Sequence, residues 1–221
     1  PLTAFYAAIA DFSVDGSKLI EESNLNLAET HFDLKSYSKA TGLYRLLVEK
    51  HAKTLSSEKL ASIQLKAIAS RLEELKEDRL LPEELKAISL NEDKIERVLP
   101  TKLTEYLFWI EDYKKNTKKS LQDANIAKFD WEGLRALYFS GHILESIQGI
   151  EKRLLLGELD SERMAAISLY LDTHILAYRW KTLFEFSSLI AEKKWAQDDS
   201  GASSAEIAKL IYGARFDSLV K

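Results

Sequence analysis

NLNLAETHFDLKSYSKATGLYRLLVEKHAKTLSSEKLASIQLKAIASRLEELK, residues 24–76, decides the fold: three short-linked helices with small residues where helices meet. Tyr37, Ala40, Tyr44, Leu47, His51 and Leu55 recur at spacings of three and four, which draws one buried stripe. Ala28 and Ala40 stand on either side of the turn at Lys35-Ser36, where a bulky side chain would push two helices apart. Gly42 runs against this pattern, since glycine inside a helix costs about 1 kcal/mol relative to alanine. The third helix of the stretch carries two stripes, Leu60, Ile63 and Ala67 on one line and Leu65, Ile68, Leu72 and Leu75 on another. One stripe closes a three-helix bundle. The second must face another part of this chain or a partner.

Helical patterning continues outward in both directions. A first helix covers about Leu2 to Phe12 and breaks at Val14-Asp15-Gly16, after which Ser17 caps a helix running to about Lys35. Helices over Tyr37 to Leu55 and Glu58 to Leu80 follow, the latter started by Ser56 or Ser57 and ended by Leu81-Pro82. Two short pieces, Glu83 to Leu90 and Glu92 to Leu99, fill the interval between prolines. Lys102 to about Lys128 reads as one helix, with Leu103, Tyr106, Leu107, Ile110 and Tyr113 on one face. Asp130 then caps a helix from Trp131 to Leu156, stopped by Gly157, and Asp160 or Ser161 opens another reaching Trp195. After the loop Gln197 to Ser204, Ser203 and Glu206 form a capping box for a last helix through about Leu219. The expected architecture is all-α, a bundle of about nine or ten helices. It divides into a subdomain over 1–81, a short-helix connector over 82–100 and an aromatic-rich subdomain over 101–221.

Composition agrees with that class. The 221 residues are 46% hydrophobic and 30% charged, as in a soluble globular protein with a sizeable core. Only 8 glycines and 3 prolines occur, too few to punctuate a strand-and-turn fold. Cysteine is absent, which excludes disulfides and thiolate metal sites and fits a reducing compartment. A net charge of −4 exerts no global pull toward nucleic acid or acidic membranes. No apolar run approaches the roughly 20 residues that span a bilayer. A start at Pro1 fits removal of an initiator methionine in the cytosol, and equally an excised fragment. The expected location is cytoplasmic.

Tyr37-Ser38-Lys39-Ala40-Thr41-Gly42-Leu43-Tyr44, the run Arg71-Leu72-Glu73-Glu74-Leu75-Lys76, Ala28 and the connection at Ser56-Ser57 resemble a microtubule-interacting and trafficking (MIT) domain, a three-helix module. Ala28, Phe32, Leu34, Tyr37, Ala40 and Tyr44 also resemble a single tetratricopeptide repeat. The resemblance covers about a quarter of the chain. It implies binding of short helical or extended motifs in grooves beside the third helix, as in membrane-trafficking assemblies.

Catalytic and metal motifs are few. His142 shares a helical face with Glu145, and His174 lies near Asp172, but the chain has no Glu-x-x-His of the kind that builds di-iron helical sites. Each of these histidines follows a tyrosine by four, Tyr138 to His142 and Tyr170 to His174, as in packing faces with a polar tip. Residues 137–144 and 169–176 echo one another at an offset of 32, an interval that suits helical-hairpin repeats, and five of eight positions match. No Gly-x-Ser-x-Gly or Gly-x-x-x-x-Gly-Lys-Ser occurs. Lys114, Lys115, Lys118 and Lys119 make a basic patch able to hold anionic lipid, although Glu111, Asp112 and Asp123 share its helix. The apolar run Trp180 to Phe186 is either central to a bundle or a seam for self-association.

The expected function is therefore non-enzymatic, without cofactor or metal: an adaptor or assembly subunit that binds a peptide segment of a protein partner in helical grooves. Leu65 and Leu72 would form the apolar floor, with Lys66, Arg71, Glu73 or Glu74 giving charge complementarity at the rim. The alternative is a helical small-ligand or metal-binding protein, or an enzyme, with its site near His142, Tyr170 and His174.

Overall fold

The computed structural model describes residues 2–12, 18–81, 87, 98–116, 124–156, 162–192, 209 and 213. Among them the chain is all-α, with nine helices and no strand. These are α1 (Leu2–Phe12), α2 (Lys18–Asp33), α3 (Tyr37–His51), α4 (Ser57–Glu77), α5 (Thr101–Asn116), α6 (Ala124–Phe139), α7 (Ile143–Leu156), α8 (Arg163–Leu176) and α9 (Trp180–Glu192). None is long and apolar enough to cross a membrane. Contacts group the chain into two compact units, Pro1–Leu81 with Pro100–Phe129, and Pro82–Leu99 with Asp130–Lys221. The first unit thus includes α5 and the start of α6.

In the first unit α1 packs on α2, α2 on α3, α3 on α4, and α4 on α5. The small residues set the spacing of α2 and α3: Ala28 and Ala40 are both 0% exposed, in one apolar cluster with Tyr44, Leu47, Ile63 and Ala67. Burial first, and then Glu29 and Asp33, raises the Tyr44 phenol pKa well above its ordinary range, so that phenol stays protonated. Ser56 caps α4, its side chain accepting from the Lys59 backbone N–H. Buried polar groups are satisfied across the α3–α4 contact. Thr41 Oγ1 donates to Ser70 Oγ at 3.0 Å, and Ser70 Oγ donates to the Tyr37 carbonyl at 3.1 Å. Lys59 and Lys66 of α4 reach Glu21 and Glu29 of α2.

The second unit is held by close approach of α6 and α7. A Cβ at Gly149 would stand 2.6 Å from Leu134 Cδ2, so a larger residue there would have to displace the Leu134 side chain. Ser146 Oγ donates to the Leu134 carbonyl at 2.7 Å, and Arg153 pairs with Asp130. α7 packs on α8 and α8 on α9. Their core gathers Trp131, Tyr138, Ile147, Ile150, Ile167, Tyr170, Leu183 and Phe186. Leu183 and Phe186 place the Trp180 to Phe186 run in the centre of this unit rather than on a free seam.

Several expected helix limits are corrected. Asp130 is not a cap: it lies inside α6, buried, with Arg153 as its partner. The helix expected over Trp131 to Leu156 breaks at Ser140-Gly141-His142, and the one expected to reach Trp195 breaks at Ala177-Tyr178-Arg179. Both breaks share one hydrogen-bond pattern. The His142 N–H returns to the Leu137 carbonyl and the Arg179 N–H to the His174 carbonyl, around left-handed residues Gly141 (φ 92°) and Tyr178 (φ 53°). The same closure ends α2 at Lys35 (φ 57°) and α4 at Arg79 (φ 56°). Residues 137–144 therefore span a helix end and a turn, whereas 169–176 lie wholly inside α8, so the echo has no structural counterpart. The helix expected over Lys102 to Lys128 is α5 at its start, and Ala124 to Lys128 belong to α6. The short helices expected between Pro82 and Pro100, the loop 197–204 and the last helix fall almost wholly outside the described residues.

Two opposite substitutions follow from the backbone. An added Cβ at Gly42 meets nothing within 4 Å, so Gly42→Ala is expected to raise the unfolding free energy by about 1 kcal/mol. Lys35→Gly, which relieves a left-handed residue, is expected to add about 0.5 kcal/mol or more. Urea midpoints of the two single variants and the double variant check both. A lowered midpoint in either would remove the corresponding account.

Candidate functional site

The five residues singled out on α4 do not form one surface. At about 100° per residue, Leu65 and Leu72 share one line of the helix, Lys66 and Glu73 a second, and Arg71 a third. Leu65 is half-buried, while Leu72 is 2% exposed and belongs to the interior of the first unit. Lys66 pairs with Glu29, and Glu73 with Lys76 at 2.5 Å. Arg71 is buried: its Nη1 donates to Glu74 at 2.5 Å, its Nη2 donates to Glu105 of α5 at 2.6 Å, and its guanidinium lies 5.2 Å from the Trp109 ring centroid. Lys102 closes the network, 2.7 Å from both Glu74 Oε1 and Asp78 Oδ2. These two carboxylates hold the Lys102 pKa above its ordinary value.

The second stripe of α4 therefore faces this same chain. Ile68, Leu72 and Leu75 are buried, and α5 turns its own buried stripe of Leu103, Tyr106, Ile110 and Tyr113 inward. What remains open lies at the edges of α4. On one side a groove of about 160 Å³ opens between α3, α4 and α5. Val48, Ala67 and Trp109 line it, Phe108 forms a lip at 65% exposure, and Arg45, Glu49, Gln64 and Asp112 surround it. On the other side a shallower hollow is lined by Glu29, Phe32, Asp33, Tyr44, Lys66 and Ala69, which brings Lys66 to a surface concavity.

Phe108 is not singled out by the sequence pattern, and Trp109 reads there as a core or interface anchor of the second half rather than as part of a groove. The signal was present: Phe108 falls about 140° away from Leu103, on the polar side of α5 with Glu105 and Asp112. A large aromatic on a polar helix face is the kind of exposed apolar group that marks contact surfaces.

In the second unit, two residues of the alternative site, Tyr170 and His174, are core residues, and His142 is half-buried. The Tyr170 ring packs 4.4 Å from His174 and 4.1 Å from Phe186, centroid to centroid. Burial, with Glu151 adding to it, holds the Tyr170 phenol protonated well above its ordinary range. His142 stands at the α6–α7 turn, its Nδ1 3.5 Å from Glu145 Oε2. No group of three or more histidine, aspartate or glutamate side chains able to hold a metal occurs among the described residues. A hollow of about 380 Å³ is lined by Ala87, Trp131, Arg135, Ala165, Ser168, Leu169 and Asp172. Its polar groups are engaged with neighbours, Arg135 with both Glu132 oxygens and Asp172 with Ser168. Of the basic patch, Lys114 and Lys115 end α5, while Lys118 and Lys119 lie outside the described residues.

Comparison with protein-family models, curated proteins and solved structures finds no match to this chain.

The buried network is expected to dominate the mutational response of α4. Arg71→Ala leaves Glu74 without its guanidinium and is expected to destabilise by about 3 kcal/mol. Arg45→Ala removes an exposed pair and is expected to change stability by less than about 1 kcal/mol. Equal effects in urea titrations would mean that the network carries no stability.

A pH dependence arises in the second unit. His174 is 5% exposed, its Nδ1 has no hydrogen-bond partner among the described residues, and burial, then Arg179, lowers its pKa from 6.5 to about 4. Between those values the unfolded chain binds a proton that the folded chain resists. This contribution to stability is thus full above pH 6.5 and is lost as pH falls toward 4. The loss is expected on the order of 2 kcal/mol. Melting temperatures at pH 7 and pH 4.5 check it, and His174→Leu should flatten the difference. An unchanged slope in that variant would assign the acid sensitivity elsewhere.

Proposed function

We propose that this chain is a non-enzymatic, cytoplasmic adaptor or assembly subunit that seats a segment of a partner protein in the groove between α3, α4 and α5. One observation carries the proposal: Phe108 stands 65% exposed at the lip of a concavity floored by Val48, Ala67 and Trp109. At about 160 Å³ the groove is smaller than the roughly 300–1,000 Å³ of sites that enclose a small ligand, and it suits one or two apolar side chains. The likeness of Leu27 to Lys76 to a trafficking module supports the same reading, as does the absence of cysteine for the compartment. The charges once assigned to the rim at Arg71, Glu73 and Glu74 bind one another or their neighbours, so recognition falls to the edges of α4. A small-ligand role for the second unit has less support, because Arg135, Ser168 and Asp172 around its hollow already have protein partners.

The test compares two aspartate substitutions in the tagged 221-residue chain. Phe108→Asp alters an exposed lip and is expected to reduce partner retention at least tenfold with the melting temperature nearly unchanged. Leu72→Asp buries a charge and is expected to collapse the first unit, so loss of a partner there reports only on folding. Undiminished retention by folded Phe108→Asp would overturn the assignment of the groove.

A further inference from the structure

The charge around the α3–α4–α5 groove is unevenly compensated, and the residue left over indicates what the groove accepts. Two carboxylates line it, Glu49 from α3 and Asp112 from α5, and Glu105 of α5 adjoins it as a partner of Arg45. Glu49 is met by Arg45 at 2.6 Å, and Glu105 is shared between Arg71 at 2.6 Å and Arg45 at 3.5 Å. Asp112 has neutral partners only. Its Oδ1 accepts from Asn116 Nδ2 at 3.0 Å and its Oδ2 from Gln64 Nε2 at 3.5 Å, and no cation of the described residues reaches it. Both available guanidiniums are already bound to glutamates, so neither is free to turn toward Asp112 without breaking an existing pair.

Position makes that charge part of the groove. Glu105, Phe108, Trp109 and Asp112 fall at i, i+3, i+4 and i+7 of α5, a single strip about 10 Å long. The two aromatics lie in its middle, with the paired glutamate at one end and the unpaired aspartate at the other. A ligand that covers Phe108 and Trp109 also removes water from beside Asp112. Desolvating an uncompensated carboxylate is unfavourable unless the ligand brings a positive group to it. An acidic segment would add like-charge repulsion from Glu49 and Asp112.

We infer that the groove takes a basic amphipathic helix, with an apolar pair at i, i+3 or i+4 against Val48, Ala67, Phe108 and Trp109, and a lysine or arginine one turn away against Asp112. The inference rests on the peptide-binding reading above and adds the chemistry of the partner. It would give an on-rate that falls with salt, because the cation is steered by the carboxylates at the rim.

The experiment selects ligands from a displayed library of 16-residue amphipathic helices with randomised polar positions, using the 221-residue chain as bait. Fluorescence anisotropy then measures the best selected peptide against three variants. Expected are enrichment of lysine or arginine one turn from the apolar pair, and a loss of affinity of about tenfold in Asp112→Asn and more in Asp112→Lys. Loss of binding in Phe108→Asp, and a switch to aspartate or glutamate when selection is repeated on Asp112→Lys, are also expected. Selected peptides without charge preference, bound equally by wild type and Asp112→Lys but not by Phe108→Asp, would overturn the cationic requirement and leave the groove standing. Peptides indifferent to Phe108→Asp, or no enrichment at all, would overturn the groove itself.

Discussion

The buried guanidinium of Arg71 is the constraint around which the first unit is arranged. A charge inside a core is tolerated only when its hydrogen-bonding capacity is met, and Arg71 meets most of it with Glu74 on its own helix and Glu105 on α5. That requirement fixes α5 against α4 in register. If α5 slid by a turn, Glu105 would leave Arg71, Lys102 would leave Glu74 and Asp78, and Trp109 would leave the guanidinium face. The apolar contacts alone do not specify the register so narrowly, since leucine, isoleucine and tyrosine stripes can interdigitate one turn out of place. The ionic network selects among packings that the hydrophobic stripe permits.

The same constraint decides where recognition can occur. Charged side chains that hold helices together are not free to read a ligand, because engaging one would expose its partner as an uncompensated charge. Arg71, Glu74 and Lys66 are committed in this way to α5 or α2, and Glu73 pairs with Lys76 on its own helix. Asp112 meets only the neutral Asn116 and Gln64 among the described residues, and the ring of Phe108 is exposed. Buried and open residues are thus segregated on α5 itself: Leu103, Tyr106, Ile110 and Tyr113 turn inward, while Phe108 and Asp112 sit on the edge proposed for recognition.

Periodicity and small residues made much of the architecture legible. The stripes on α3 and α4, the meeting of Ala28 and Ala40, and the Ser56 cap could all be read because each depends on residues close in sequence. The breaks at Gly141 and Tyr178 could not. A helix end of this type is set by a left-handed residue, and tyrosine, lysine and arginine give no advance sign of adopting one, unlike the glycine that usually serves. Gly141 did carry the sign but stands amid apolar residues that continue the helical period on both sides. Asp130 misled for a related reason: an aspartate before an aromatic helix reads as a cap, whereas its role is set by Arg153, 23 positions away.

The site was harder to read than the fold for the same physical reason. Two stripes on α4 could be recognised, and one of them was correctly open to being covered by this chain, but which segment covers it is a long-range fact. Once α5 is placed, Leu72 becomes interior and the rim charges become internal pairs. Local sequence reports how many faces a helix must bury; it does not report which neighbour buries them. The residues left informative about function are those that violate the local pattern and are not repaired by packing. Phe108 on a polar face and Asp112, which has no cation partner among the described residues, are two such departures on one helical strip. A single kind of ligand, apolar and basic at neighbouring turns, would cover the one and pair with the other.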